Sequence, residues 1–174
     1  MSKSALKKEL QMLTKEQLIE QVLDLYEKNK SVKTFYNLYL NPKNEKALLE
    51  KCRKEIYREF NVERPERARL KFSVAKQAIA ELKDVQASPE IIADAMLYLA
   101  ECACEFTYQN GDVSGAFYSG AYNNFSAALK FIAKQNLLSV FRQRAEQCVK
   151  WASPCGYGFA DDIRYEFLDH YQEN

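Results

Sequence analysis

The chain has 174 residues, 47% of them hydrophobic and 28% charged, with only 5 glycines and 4 prolines. This composition excludes a disordered chain, and the small number of helix-breaking residues favours long helices. The net charge of +1 hides an asymmetry, because residues 1–84 carry a net +6 and residues 85–174 a net −5. We expect these two parts to attract each other or charged partners.

The spacing of apolar residues predicts an all-α protein of eight or nine helices. The start signals are a Thr14 to Gln17 capping box, Ser31 as a cap, Pro65 as a first-turn proline, and Ser88 followed by Pro89. No alternation of period two is long enough to form a sheet. The predicted helices cover about 4–12, 14–30, 31–40, 44–60, 66 onward, 88–108, 119–135, 137–151 and 161–171.

Short loops between these helices predict mostly antiparallel neighbours, packed either as a bundle or as a short helix-pair solenoid. The length fits one domain, so residues 1–174 are expected to form a single all-helical domain. Within it, residues 1–43 are expected to be an N-terminal helical extension packed on 44–174.

The N-terminal residues and the cysteines together predict a cytoplasmic protein. Lysines and glutamates interrupt residues 1–18, so we expect neither a signal segment nor a membrane span there. The five cysteines form an odd set without a C-x-x-C pair, which argues against a disulfide framework and a zinc site. We expect the thiols to be small core residues and the protein to need no cofactor.

An acidic stripe, defined as Glu90, Asp94, Glu101 and Glu105, falls within about 60° on one side of its helix. Three of these residues, Asp94, Glu101 and Glu105, are candidate metal ligands. Di-metal sites in bundles use Glu-x-x-His pairs, however, and His170 is the only histidine. A solvated acidic face is the favoured interpretation, and docking onto the basic side chains of Arg69, Lys76 and Lys83, or onto an external basic partner, is the second.

The region 53–83 is rich in lysine and arginine and is the candidate nucleic-acid surface. Arg69, Lys76 and Lys83 recur at i, i+7 and i+14, so on a continuous helix they would form a basic row. Acidic residues interrupt the region, and the sequence pI is about 7.5. Nucleic acid is therefore a partner that the sequence permits but does not favour.

The loop from Cys155 to Asp161 is the most distinctive string in the chain. Gly156 and Gly158 allow unusual backbone conformations, and Asp161 marks the expected junction with the last helix. The favoured interpretation is a structural corner that packs Tyr157 and Phe159 onto the core. The alternative is an anion site at the helix N-terminus, which the aspartates would oppose.

Four strings, at 13–18, 41–43, 75–79 and 156–161, carry a resemblance over the whole chain. They are LTKEQL, NPK, AKQAI and GYGFAD. The chain resembles a bacterial family of about this length that is known only as a domain of unknown function. The resemblance implies a bacterial cytosolic origin and supports the boundaries, but it transfers no active site.

Three functions remain open from the sequence. The favoured one is a non-enzymatic helical module that binds another protein or itself, because Tyr (11) and Phe (10) are abundant and are enriched at interfaces. Its candidate partner-binding residues are Arg69, Lys76, Lys83, Tyr157 and Phe159. The alternatives are a nucleic-acid-binding protein using the basic 53–83 region and a carboxylate-based metal-dependent enzyme.

Overall fold

The computed structural model describes residues 2–41 and 45–171, which fall into two compact units, 1–43 and 44–174. The described residues contain nine α-helices and no strand, so the prediction of an all-α protein with eight or nine helices is confirmed. No helix in these ranges is long and apolar enough to cross a membrane. The helices are α1 Lys3–Gln11, α2 Lys15–Lys28, α3 Lys30–Leu40, α4 Glu45–Phe60, α5 Phe72–Asp84, α6 Pro89–Asn110, α7 Gly115–Lys134, α8 Leu138–Ala152 and α9 Phe159–Tyr171.

The first unit contains α1 to α3, of which α2 and α3 pack against each other. The capping box predicted at Thr14 and Gln17 is present, with both reciprocal hydrogen bonds. The prediction that Ser31 caps α3 is wrong, because the Asn29 side chain accepts hydrogen bonds from the N–H groups of Ser31 and Val32. Asparagine is a strong cap, so α3 begins directly after it. Of the predicted Asn41-Pro42 stop, only Asn41 lies within the described residues.

The second unit is a packed helical bundle around α6, which contacts α4, α5, α7 and α8. Half of the residues of α6 are buried, on every side of the helix except the one that carries the acidic stripe, as expected for the central element of a bundle. Its buried side chains are mostly small, which lets four neighbours approach closely. They are Ile92, Ala93, Ala95, Leu97, Leu99, Ala100, Cys102, Ala103, Cys104, Phe106 and Thr107. This arrangement decides the open choice in favour of a bundle.

The predicted start of the fifth helix, at Pro65, is wrong. Pro65–Arg67 forms a single 3₁₀ turn, and the α-helix begins only at Phe72. The backbone carbonyl of Glu59 accepts hydrogen bonds from the N–H groups of both Arg69 and Leu70, which folds the segment back onto the end of α4. Leu70 has φ of 54°, and this left-handed conformation separates the 3₁₀ turn from α5.

Other helix boundaries shift by a few residues for local reasons. The Ser114 side chain caps α7 by accepting from the Phe117 N–H, so α7 starts at Gly115 and not near Ser119. Ser88 precedes Pro89 as predicted, but its N–H and hydroxyl donate to the two carboxylate oxygens of Glu45, at 2.8 and 2.7 Å. This serine therefore ties the start of α6 to the start of α4.

The side chain of Phe72 in α5 lies directly against Gly120 in α7. A Cβ atom added there would lie 2.7 and 2.9 Å from two ring carbons of Phe72. Phe72 also packs edge-on against the ring of Phe60, which is fully buried, so it has little freedom to move away. Glycine at this position lets α5 and α7 meet.

Gly120→Ala is expected to lower the free energy of unfolding by about 1 kcal/mol, measured by urea denaturation. Overpacking costs about 1–3 kcal/mol, and the better helix propensity of alanine returns about 1 kcal/mol. Gly115→Ala is the matched control, because Gly115 is also in α7 and a Cβ there meets no atom within 4 Å. A Gly120→Ala variant as stable as Gly115→Ala would contradict the predicted clash.

Candidate functional site: a groove between α5 and α7

A groove with an apolar floor lies over α6, between α5 and α7. Each helix contributes residues at helical spacing, so each presents one continuous face. The lining residues are Lys76, Ile79, Ala80 and Lys83 from α5, Met96 and Leu99 from α6, and Asn124 and Ala127 from α7. The groove therefore results from α5 and α7 both packing on α6 while leaving a gap between them.

Two contacts between α5 and α7 mark the ends of the groove. Phe72 touches Gly120 at one end, and the Lys83 ammonium lies 5.9 Å from the ring centroid of Phe131 at the other. Both partners advance by the same number of residues, so α5 and α7 run in the same direction. At 1.5 Å per residue the groove is about 16 Å long, which matches about three turns of a helix.

The charged groups of the groove have no ion-pair partner within the described residues. Neither Lys76 nor Lys83 forms an ion pair there, and both side chains are exposed. Asn124 is 7% exposed; its Nδ2 donates to the Gly120 carbonyl at 2.7 Å, while its Oδ1 accepts no hydrogen bond from a described residue. This amide oxygen is accessible to solvent, so it can accept from water or from a group that enters the groove.

The volume of the groove is about 240 Å³. Pockets for drug-sized molecules measure about 300–1,000 Å³, so the space is better matched to one or two apolar side chains of a polypeptide. Two ammonium groups at the edge add a preference for acidic neighbours.

The acidic stripe lies elsewhere and is largely paired within the second unit. Arg53 of α4 donates from Nε and Nη2 to Asp94, at 2.7 to 2.9 Å. Arg144 of α8 donates to Asp94 at 2.6 Å and forms two hydrogen bonds with Glu101, at 2.8 and 2.6 Å. The predicted solvated face is therefore wrong for Asp94 and Glu101. Docking onto basic side chains occurs, with Arg53 and Arg144 in place of Arg69, Lys76 and Lys83.

The surroundings of Arg144 and Glu105 shift the pKa of each side chain. Burial alone would lower the pKa of Arg144, but hydrogen bonds and charge from Glu101 and Asp94 outweigh it and raise the pKa. Burial raises the pKa of Glu105, which accepts a hydrogen bond from Gln109. Within residues 2–41 and 45–171, no three His, Cys, Asp or Glu side chains are grouped to hold a metal ion. Of the three candidate ligands, Asp94 and Glu101 pair with arginines, and Glu105 accepts a hydrogen bond from Gln109.

The basic 53–83 region does not form a continuous row. Arg69 precedes α5 and pairs with Glu59, whereas Lys76 and Lys83 line the groove. Arg53 and Arg58 also pair with acidic residues of the chain. Most arginines that could contact phosphates are therefore already engaged.

The 155–161 loop is a corner, with Gly158 at φ of 75° and Tyr157 at 58°. Phe159 is 1% exposed and stacks against Tyr118, so its ring packs inside the chain and offers no surface to a partner. The prediction that Tyr157 packs onto the core is wrong, because its side chain is 72% exposed although its ring lies 5.7 Å from that of Tyr118. Asp161 lies in the first turn of α9, not in the loop, because the helix begins at Phe159. The Gly156 N–H donates to the exposed carboxylate of Asp112, which connects the corner to the segment between α6 and α7.

Glu166 of α9 has a buried carboxylate. The residue is 7% exposed and accepts a hydrogen bond from the Tyr122 hydroxyl at 2.8 Å. Burial works to raise its pKa, but bonds from Ser126 and Tyr122 with charge from Lys130 and His170 prevail, and the pKa is lowered. His170 lies 3.4 Å from this carboxylate. The hydrogen bond from Tyr122 to Glu166 joins α7 to α9, whereas the His170 contact lies within α9.

The fold and the groove define a helical-bundle protein with an apolar, lysine-edged groove. The chain belongs to the family of unknown function DUF6155, whose model matches residues 1–153. No curated protein and no solved structure matches the chain. The family assignment confirms the expected resemblance to a domain of unknown function over residues 1–153, which does not include the 156–161 string, and it brings no activity with it.

Sequence reasoning found Lys76 and Lys83 but not the apolar residues beside them, nor Asn124. Ile79, Met96 and Leu99 follow the same helical periodicity as core residues, so nothing in the sequence separates a groove floor from a filled core. Arg144 was also missed. The only available signal was the position of the acidic stripe next to an apolar face, which indicates partial burial.

Proposed function

We propose that this protein is a non-enzymatic helical module that binds a polypeptide segment in the groove between α5 and α7. The supporting observation is the combination of an apolar floor, two exposed lysines that form no ion pair with a described residue, and the solvent-accessible Oδ1 of Asn124. An apolar anchor surrounded by polar groups is the usual composition of a peptide-binding site.

The groove favours protein over nucleic acid as the partner. Its floor is formed by Ile79, Met96 and Leu99, which offer aliphatic contacts and no aromatic stacking platform for bases. Only two lysines flank it, too few for the series of phosphate contacts that dominates nucleic-acid affinity. Nucleic-acid binding through the 53–83 region is therefore the weaker candidate.

A photo-reactive amino acid at Ala127 is expected to cross-link a bound polypeptide in native cells, because Ala127 is exposed and lines the groove. The matched control carries the same group at Arg164, an exposed residue of α9 outside the groove. We expect cross-linking at 127 to exceed that at 164 and to fall when Lys76→Glu and Lys83→Glu are added. Equal cross-linking at the two positions, measured by mass-resolved blotting, would remove the groove as the binding site.

A bacterial cytosolic location is part of the same proposal. All five cysteines are free thiols and four are buried, and burial raises the pKa of Cys52 and of Cys102 to about 12. Such thiols stay protonated and suit a reducing compartment. The bacterial part is supported by the sequence resemblance alone, and immunodetection after cell fractionation tests the location.

A further inference from the structure

We propose that the segment bound in the groove is helix α2 of a second copy of this chain, so that the protein associates with itself. This inference rests on the proposed function of the groove and names its partner. It follows from the side chains that α2 presents to solvent.

The exposed side of α2 combines apolar and acidic residues. Ile19 is 49% exposed and Leu23 57% exposed, and the two lie about 40° apart on the helix. Their neighbours on one side are Glu16, Glu20 and Glu27, which fall within about 40° of one another. None of these three glutamates forms an ion pair with a described residue, whereas Asp24 is paired with Lys28.

On α2, the side of Ile19 and Leu23 that faces away from the glutamates adjoins side chains that pack against α3. The Tyr26 ring packs against Tyr36, with centroids 6.4 Å apart, and its hydroxyl donates to Asn37. Ile19, Leu23 and the glutamates therefore remain available after α2 and α3 have packed together. They form an apolar strip with acidic groups along one edge.

This strip complements the groove in chemistry and spacing. Glu20 and Glu27 are seven residues apart, as are Lys76 and Lys83, so each pair spans about 10.5 Å along its helix. With the glutamates toward α5, Ile19 and Leu23 face the floor at Met96 and Leu99. Two apolar side chains fit the volume of about 240 Å³, and α2, with 14 residues, is long enough to fill the groove.

In a two-fold symmetric dimer this contact occurs twice, because α2 of each copy binds in the groove of the other copy. The acidic residues of α5 do not oppose it, because Glu81 and Asp84 are not among the lining residues. Glu81 lies 4.0 Å from Lys51 on the neighbouring α4. The charges that meet in the groove are thus two lysines and two glutamates per contact.

The test uses full-length chains with reversed charges in analytical ultracentrifugation. The groove variant carries Lys76→Glu and Lys83→Glu, and the α2 variant carries Glu20→Lys and Glu27→Lys. Each variant places like charges opposite each other when it meets itself, so its self-association is expected to weaken at least about tenfold relative to wild type. An equimolar mixture of the two variants restores both sets of pairs and is expected to form a heterodimer.

Lys54→Glu with Arg164→Glu is the matched control, since both residues are exposed and lie outside the groove. Circular dichroism checks that all variants fold. A monomeric wild-type chain at sub-millimolar concentration overturns the proposal, as does a dimer that both reversals leave intact, or a mixture that fails to associate. Cross-linking at Ala127 to a different protein would leave the groove's proposed function standing while rejecting α2 as its occupant.

Discussion

Replacing Arg144 with methionine is expected to lower the free energy of unfolding by about 3 kcal/mol, because it leaves partly buried carboxylates without their partner. The Glu101 side chain is 13% exposed, and both of its oxygens accept from Arg144. Asp94 is less affected, since Arg53 still donates to it. Methionine keeps much of the aliphatic packing of arginine, so the loss is mainly electrostatic. Urea denaturation at neutral pH measures it.

A second substitution separates charge from packing. Glu101→Gln in the Arg144→Met background removes the stranded charge, and we expect the double variant to regain about half of the lost stability, a coupling that a double-mutant cycle quantifies. Arg164→Met is the control on an exposed arginine, with an expected change within about 0.5 kcal/mol. If Arg144→Met behaves like Arg164→Met, the network contributes nothing to stability.

Replacing Arg69 with alanine is also expected to destabilise the protein by about 3 kcal/mol, again because a buried carboxylate loses its counter-charge. Glu59 is fully buried and hydrogen-bonded to the Arg69 guanidinium through Oε1, while its Oε2 has no hydrogen-bond partner. Hydrogen-bond donors near this carboxylate are therefore few, and Arg69 is difficult to replace. Thermal and urea unfolding both report the change.

Arg67→Ala is the matched control, because Arg67 is two residues away and exposed, and its only ion pair with a described residue is with exposed Glu66. Adding Glu59→Gln to Arg69→Ala should recover part of the stability, since the amide is neutral. Equal stability of Arg69→Ala and Arg67→Ala would contradict the assignment. The expected loss also means that Arg69, a sequence-level candidate for partner binding, cannot serve as a binding probe until its effect on folding is known.

Local patterns were sufficient for the helices themselves. Apolar spacing located all nine helices of the described residues. The capping box at Thr14 was correct because a cap depends on residues only three positions apart. Two of the wrong predictions have a distant cause, whereas the cap at Asn29 and the start of α7 after Ser114 are local signals that were missed. The start at Pro65 was displaced because the Glu59 carbonyl receives the N–H groups of Arg69 and Leu70, and Ser88 binds Glu45 across two helices.

Some features of the candidate site could be predicted from the sequence, and others depend on contacts between distant residues. The sequence by itself determined the helical class, the resemblance to a family of unknown function, the acidic stripe and the lysines at positions 76 and 83. Only the tertiary structure decided that the stripe meets Arg53 and Arg144, that Phe159 is buried, and that α5 and α7 leave a groove above α6. Periodicity shows which face of a helix is apolar. Whether that face is covered depends on contacts between residues far apart in the chain, such as Phe72 with Gly120.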